Sequence, residues 1–487
     1  MIITNIAAIS DVRFGTSGVR GLVSQMTNRV CYGYAAAFWQ VAGDGSMIVL
    51  GHDLRPSSPQ IAAACAAALC ARGVEVIYAG ALPTPALAFF ASILHAPAIV
   101  VTGSHIPFDR NGIKFYRARG EEITKADELA IQQATVEIPD EIVTSPLPAP
   151  DPHAERVYVA RYVDFFGTDA LAGMRVAIYE HSSVARDVLR TILEGLGAEV
   201  LALGRADTFV PIDTEAVREE DIARARKWAG EHGFDAVLST DGDGDRPLIG
   251  DENGNWFRGD IVGILCAQFL GVDVVVTPVS SNTAVEKSGL FRKVHRTRIG
   301  SPYVIAGMGD ELLQAPRAVA GYEANGGFLL GSDVERNGNR LAALPTRDAV
   351  LPMLAMLCMA RERARKLSEL ADALPQRFTH SSRLQDIPVE KSRELIAGFL
   401  EDAGRMRVVM GPDAGDVAGM DTTDGLRVEF AGGEIVHLRP SGNAPELRCY
   451  AEADTEARAQ FLCDTCLGNI AAMQAGQDSL ADSNGWQ

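Results

Sequence analysis

Three carboxylates stand at alternate positions in the run Asp241-Gly242-Asp243-Gly244-Asp245-Arg246. The intervening glycines permit a tight backbone, so all three side chains can turn toward one point and offer hard oxygen ligands to Mg2+. Stacking three like charges without a cation would be costly. The spacing also resembles a calcium-binding EF-hand, with Glu252 at the twelfth position. However, Arg246 stands where that loop requires glycine, and the strand-like FDAVLST leads in rather than a helix, which excludes the EF-hand. A plain acidic turn is the remaining alternative.

A second group is Thr102-Gly103-Ser104-His105, followed by IPFDRNGIKFY. A small residue before Ser at a strand end exposes the hydroxyl at the lip of a sheet. Such a serine can carry a phosphoryl group only where the site stabilises that group in line. His105 and Lys114 could supply charge and hydrogen bonds to it. An ordinary strand-to-turn cap would look the same. The run Arg439-Pro440-Ser441-Gly442-Asn443 combines a guanidinium, a hydroxyl, an amide and a Gly-permitted stretch of backbone N–H groups, which suits a phosphate. In Gly321-Tyr322-Glu323-Ala324-Asn325-Gly326-Gly327, Glu323 and Asn325 suit hydrogen bonds to sugar hydroxyls, and a strand-end turn accounts for them equally well. FGTSGVRG, residues 14–21, is a loop that could lend Arg20 to an anion.

These groups need a scaffold that ends strands in loops. MIVLG, VEVIYAG and APAIVVT alternate with helix-like runs, the first of them Ala-rich after the candidate N-caps Ser57 and Ser58. Short apolar strands between helices read as a parallel sheet covered on both faces, with sites at the carboxyl ends of its strands. SPLPAPDP, residues 145–152, reads as a linker. A second α/β unit has MRVAIYE, a helix from about 183, AEVLALG, a helix near 219–232 and FDAVLST. A third has VDVVVTPVSS, KVHRTRIGS and RAVAGYE, and the three successive units suggest a structural repeat. From about Gln376, consecutive strands LRVEF, EIVHLRP and ELRCYAE before a last helix read as an antiparallel α+β domain. The expected division is 1–150, 151–258, 259–375 and 376–487.

The 487 residues carry a net charge of −18 with no basic run, which excludes broad contact with nucleic acid or anionic membranes. The N-terminus lacks a basic, then apolar, leader, and no apolar run reaches the ~18 residues of a membrane span. A soluble, cytoplasmic protein is expected. The eight cysteines are expected as reduced thiols, and Cys463 and Cys466, although spaced as CxxC, lack a redox or zinc context.

Taken together, FGTSGVRG, TGSHIPFDRNGIKFY, DGDGDR, GYEANGG and RPSGNAPELR resemble the α-D-phosphohexomutases, the phosphoglucomutase/phosphomannomutase superfamily, in order from about residue 13 to 452. The resemblance implies three α/β domains and an α+β domain around a central cleft. It implies that Ser104 is phosphorylated and that Asp241, Asp243 and Asp245 bind Mg2+ with the Ser104 phosphate. Arg246 would contact phosphate, and Glu323 and Asn325 would grip sugar hydroxyls. Arg439, Ser441, Gly442 and Asn443 would hold the phosphate that is not reacting, while Gly300 and Ser301 fall in a second sugar-recognition loop. His105, Lys114 and Arg20 are candidates for proton handling and charge stabilisation, and Asp53 and Arg55 for structural support. The implied reaction interconverts hexose 1-phosphate and 6-phosphate through a hexose 1,6-bisphosphate, with mannose the expected sugar and glucose a second one. Sugar phosphates are the expected partners, and a monomer or homodimer the expected assembly. Phosphoglucosamine mutase and sugar-phosphate phosphatase are the alternatives. A catalytically silent sugar-phosphate sensor would need a degraded nucleophile or metal loop, and both are intact. The chain departs from the family's usual residues at Ile106, Phe108, Asn325 and Gly327, so the sugar loop is atypical.

Overall fold

The computed structural model describes residues 2–3, 10–15, 17–43, 45–314, 318–441 and 445–483, with side chains for all but 2–3, 412 and 475–483. The chain divides into two compact units. One comprises residues 1–277, 291–295 and 300–371; the other comprises 278–290, 296–299 and 372–487.

The first unit contains three α/β sheets. In the first, the order is Arg13–Phe14, Val19–Leu22, Arg110–Tyr116, Ala98–Val101, Met47–His52 and Glu75–Ala81. Met47–His52 runs parallel to both Glu75–Ala81 and Ala98–Val101, but Arg110–Tyr116 returns antiparallel. The expected parallel sheet is therefore mixed. The physical reason is the connection from Thr102 to Asp109, which is too short for the dozen or more residues of a parallel crossover. Helices Asn28–Ala42, Ser58–Cys70 and Thr84–Leu94 cover this sheet. Ser58–Cys70 is helical through its run of alanines with Pro59 in its first turn. Ser57 occupies the N-cap, yet its hydroxyl caps nothing; it accepts from Asn111 Nδ2 at 2.8 Å. Ser58 Oγ donates to Asp53 Oδ1 at 2.6 Å, so both serines serve the sheet's carboxyl edge instead.

The second sheet repeats the device. Glu199–Leu203, Arg175–Tyr179 and Ala236–Thr240 are parallel, and Pro247–Gly250 returns antiparallel to the last of these. In the third sheet Val274–Pro278 and Val319–Tyr322 are parallel, and Phe328–Leu330 returns antiparallel. Three times, a parallel strand ends in a short loop that reverses the chain. Those three loops carry Ser104, the aspartates and Glu323.

The second unit is an antiparallel sheet in the order Phe378–Gln385, Glu446–Ala453, Ile435–Pro440, Leu426–Phe430 and Val417–Asp421. Alternating apolar residues such as Leu426, Val428 and Phe430 face a core shared with Cys449, Cys463 and Cys466. All eight cysteines are free thiols, and the CxxC pair lies buried in that core. Among the described residues, no helix is long and apolar enough to cross a membrane.

Candidate active site

The strand Ala236–Thr240 delivers its chain into the acidic loop, where the three aspartates are at most 1% exposed and their oxygens lie within 4.8 Å of one another. Each carboxylate has one oxygen committed. Asp241 Oδ1 accepts from the backbone N–H groups of Asp245 and Arg246, both at 3.2 Å. Asp243 Oδ2 accepts from Thr84 Oγ and Lys114 Nζ, both at 2.6 Å. Asp245 Oδ2 accepts from Lys114 Nζ at 2.7 Å and Arg347 Nε at 3.0 Å.

The other oxygens have a different fate. Asp243 Oδ1 and Asp245 Oδ1 are buried with no hydrogen-bond partner, while Asp241 Oδ2 accepts from Ser104 Oγ at 2.6 Å. A buried carboxylate oxygen left unpaired costs on the order of 1–3 kcal/mol or more. Two of them converging beside a third carboxylate and a hydroxyl make an all-oxygen donor set that fits a hard divalent cation such as Mg2+. The charge balance is uneven. Burial, with Asp243 and Asp245 adding repulsion, pushes the Asp241 carboxyl well above its usual range. Burial acts the same way on Asp245, but Arg347, Lys114 and Arg246 outweigh it and hold that carboxyl well below. Lys114 is likewise disfavoured by burial and kept charged by Asp243 and Asp245. Its ammonium is spent on those two carboxylates.

Ser104 is 1% exposed and sits at φ +50°, in the left-handed region. A non-glycine residue there is strained and persists only where neighbours over-determine it. Here they do. Asp53 Oδ2 accepts from Thr102 Oγ at 2.7 Å and from the Gly103 N–H at 3.2 Å. Thr102 Oγ in turn accepts from the Ser104 N–H at 2.8 Å. The buried Arg55 guanidinium donates to the carbonyls of Ser104, Ile106, Pro107 and Arg110 at 2.5–3.0 Å and lies 4.0 Å over the Phe209 ring. A Cβ at position 103 would come within 2.5 Å of that guanidinium, which is why glycine precedes the serine. Asp53 and Arg55, expected as structural support, are the frame of the serine loop.

His105 Nδ1 accepts from Arg246 Nη1 at 3.0 Å and lies 3.2 Å from Ser104 Oγ. Burial, then Arg246 and Arg20, push its pKa well below the usual value, so the ring is neutral. The Arg20 side chain has no hydrogen bond or ion pair among the described residues, and burial, Arg246 and Arg347 lower its pKa to about 10. An unpaired guanidinium beside two others is a receptor for an anion.

Glu323 and Asn325 lie in the third reversal loop, both buried. Asn325 Oδ1 accepts from the Gly327 N–H at 3.0 Å, so one of its two lone pairs shapes its own loop. Glu323 Oε2 accepts from Arg347 Nη1 at 3.1 Å, and Oε1 has no partner among the described residues. Gly300 caps the helix Ser301–Leu312 at φ +130°, and Ser301 Oγ donates to Glu122 Oε2 at 2.6 Å. Glu122 also accepts from Ser17 Oγ, tying the FGTSGVRG loop to Ser301.

In the second unit, Arg439 Nε lies 2.8 Å from Asp424 Oδ2 without the alignment of a hydrogen bond, so the contact is charge pairing. Ser441 is buried, and its backbone N–H donates to the Glu446 carbonyl at 2.9 Å. Gly442 and Asn443 lie outside the described residues. Sequence reasoning missed Arg347, Glu122 and Thr84. Arg347 had a signal, an arginine inside the strand Leu344–Asp348; Glu122 and Thr84 had none.

The sequence matches four domain families described as phosphoglucomutase/phosphomannomutase: α/β/α domain I over residues 11–141, domain II over 152–254, domain III over 258–378 and the C-terminal domain over 387–467. It is 48% identical over 468 residues to a phosphomannomutase of Salmonella muenchen, covering 95% of this chain and 96% of the relative. A phosphomannomutase of Sinorhizobium fredii is 44% identical over 462 residues, 92% of this chain and 97% of the relative. A phosphoglucosamine mutase of Geotalea daltonii is 32% identical over 425 residues, 80% of this chain and 87% of the relative. Among solved structures, a phosphoglucomutase/phosphomannomutase family protein from Burkholderia thailandensis superposes with a TM-score of 0.74 at 21% identity. That match covers 96% of this chain and 99% of the other.

Proposed function

The chain belongs to the phosphoglucomutase/phosphomannomutase family, and on that premise we propose that it interconverts mannose 1-phosphate and mannose 6-phosphate, with Ser104 as phosphoryl carrier and a hexose 1,6-bisphosphate as bound intermediate. As a phosphohexomutase it is an intramolecular phosphotransferase, an isomerase. The observation that carries the mechanism is Ser104 Oγ at 2.6 Å from Asp241 Oδ2, beside the two orphaned oxygens of Asp243 and Asp245.

In the forward step the phosphorus–oxygen bond to Ser104 Oγ breaks as a bond to the sugar's 6-hydroxyl oxygen forms, and the proton of that hydroxyl ends on the departing Ser104 Oγ. After the bisphosphate turns over, the phosphorus–oxygen bond at C1 breaks as a bond to Ser104 Oγ forms, and the Ser104 proton, directed at Asp241 Oδ2 before transfer, ends on the departing C1 oxygen. Mg2+, held by Asp241, Asp243, Asp245 and the phosphoserine, would supply charge neutralisation on the transferring group. The protein's own part is positional. Arg20 offers an uncommitted guanidinium to the phosphoryl oxygens, and Arg246 fixes neutral His105 beside the serine. Lys114 keeps two aspartates charged and aligned. Glu323 Oε1 accepts from sugar hydroxyls, while Asn325, whose oxygen is partly engaged by its own loop, contributes its amide N–H donors. Arg439, Ser441, Gly442 and Asn443 hold the distal phosphate.

The phosphomannomutases at 48% and 44% identity support mannose over the amino sugar of the relative at 32%. Steady-state kcat/KM for mannose, glucose and glucosamine 1-phosphates tests this. Mannose 1-phosphate should be fastest, with glucose 1-phosphate within about two orders of magnitude, because one uncharged contact discriminates by only ~1–3 kcal/mol. A preference for glucosamine phosphate would overturn the sugar assignment. Release of inorganic phosphate in step with turnover would make the protein a phosphatase instead.

A further inference from the structure

Arg347 belongs to none of the loops that the sequence singled out, yet it touches three of them. It lies in the strand Leu344–Asp348, where successive side chains point to opposite faces. The next residue fixes the register: Asp348 accepts from Tyr158 Oη at 2.9 Å and from Tyr162 Oη, both fully buried. With Asp348 locked on one face, Arg347 is driven to the other.

There its guanidinium is divided. Nε lies 3.0 Å and Nη2 2.8 Å from Asp245 Oδ2, in the acidic loop. Nη1 donates to Glu323 Oε2 at 3.1 Å, in the third reversal loop, and lies 3.3 Å from Ser301 Oγ. One planar cation thus takes one oxygen from each of two carboxylates. In both, the oxygen that it leaves has no hydrogen-bond partner among the described residues: Asp245 Oδ1, which the proposed function gives to Mg2+ and which has only the Arg246 guanidinium nearby, its Nε at 3.7 Å, and Glu323 Oε1, which it gives to the sugar.

The space for this arrangement is specific. A Cβ at Gly327 would lie 2.6 Å from Arg347 Cδ and 2.8 Å from Cγ, so the side chain runs across a surface that only glycine leaves open. The backbone at Gly327 is not in the left-handed region, so packing against Arg347 is the reason for glycine there.

We propose that Arg347 is a positioning residue that sets the working oxygens of the metal loop and the sugar loop in one frame, through a fork that lysine cannot replace. The proposal rests on the reading of Asp245 as a metal ligand and Glu323 as the sugar grip. Its physical basis is that a guanidinium presents several donors in fixed directions, whereas an ammonium is a single point of charge. A lysine at 347 would neutralise Asp245 and abandon Glu323.

The test is calorimetric binding of Mg2+ and of mannose 1-phosphate to the dephosphorylated full-length protein, which cannot turn over. Arg347→Lys should bind Mg2+ within about threefold of the parent but mannose 1-phosphate roughly tenfold more weakly. Arg347→Gln should weaken both. Gly327→Ala changes no charge and should reproduce the lysine phenotype by displacing the arginine stem; it also serves if Arg347→Gln does not fold. Arg347→Lys combined with Glu323→Gln should bind the sugar no more weakly than Glu323→Gln alone. Parent-like binding of both ligands by Arg347→Lys would overturn the proposal, as would losses that multiply in the double variant. If Glu323→Gln alone binds mannose 1-phosphate normally, the reading of Glu323 fails first and the proposal falls with it.

Discussion

The acidic loop of the first unit and the Arg439 turn of the second handle charge in opposite ways. Asp245 is 1% exposed and already bonded to Lys114 and Arg347, so its geometry is set before any ligand arrives. The Arg439 side chain is 14% exposed and rests against Asp424, 19% exposed, in a contact that is close but misaligned. The first is an interior framework with two oxygens left over. The second is a cation resting on a replaceable anion. A small hard ion needs preset ligands, whereas a phosphate that arrives on either end of a sugar needs a partner that can be exchanged. Electrostatic preorganisation gains most where water is excluded, which is where the molecule places its fixed charges.

The contrast breaks most sharply at the serine. Ser104→Ala removes the proposed phosphoryl carrier and should abolish nearly all turnover, by roughly a thousandfold or more. Intact mass should find a phosphoryl group on the parent, after exposure to a hexose 1,6-bisphosphate, and none on the variant. Near-normal turnover would end the phosphoserine mechanism. Asp243→Asn comes next, because it removes charge and one of the two orphaned oxygens. Mg2+ affinity should fall at least tenfold by calorimetry, and chelation of the parent should stop turnover reversibly. Activity that survives excess chelator would reduce the loop to an acidic turn.

At the second loop the expected effects are smaller. Arg439→Ala deletes the proposed charge-assisted contact to the distal phosphate, worth about 1.5–3 kcal/mol, so kcat/KM should drop roughly ten- to a hundredfold. Asp424→Asn should separate the two loops in kind. If Arg439 is merely resting there, releasing it should leave sugar-phosphate affinity unchanged or improved. A loss as large as that of Arg439→Ala would show that Asp424 holds the arginine in place, as Asp53 holds the serine loop.

The reading of the sequence succeeded where local composition dictates local shape. Gly103, Gly242 and Gly244 announce tight turns after apolar strands, and the structure brings Ser104 and Asp241 within hydrogen-bond distance across 137 positions. It failed where a role comes only from distant contacts. Glu122 and Thr84 are single polar residues in unremarkable surroundings, Arg347 stands out only as an arginine inside a strand, and packing reveals the three as partners of the aspartates and Ser301. The parallel reading of the first sheet overlooked the length of the Thr102–Asp109 connection, which already forces an antiparallel return. The sugar loop was legible as a loop but not as a filter. Asn325 was expected to bond sugar hydroxyls, and one lone pair of its oxygen accepts from the Gly327 N–H instead.

The smallest expected effect compares two histidines that stand behind the two loops. His181 Nε2 donates to the carbonyl of Thr240, the residue before Asp241, at 2.8 Å; His437 Nε2 donates to the carbonyl of Asp424 at 2.6 Å. In both, Nδ1 is buried without a partner. Burial pushes each pKa down from 6.5 to about 4. A histidine whose pKa is depressed by folding stabilises the native state fully above 6.5, and that contribution is lost as pH falls from 6.5 toward 4, because the unfolded chain takes up the proton first. At pH 5 each histidine should have lost about 2 kcal/mol. His181→Gln and His437→Gln keep a donor for the carbonyl and remove the titration. Each variant should therefore lose less stability than the parent between pH 7 and pH 5, by about 2 kcal/mol in denaturant titrations. Equal effects of the two substitutions would show that burial alone sets these pKa values, whatever the exposure of the loop in front. A parent-like pH dependence in one variant would mean that its ring reaches water in solution. On the comparison of the loops, that ring should be His437, behind the more open of the two.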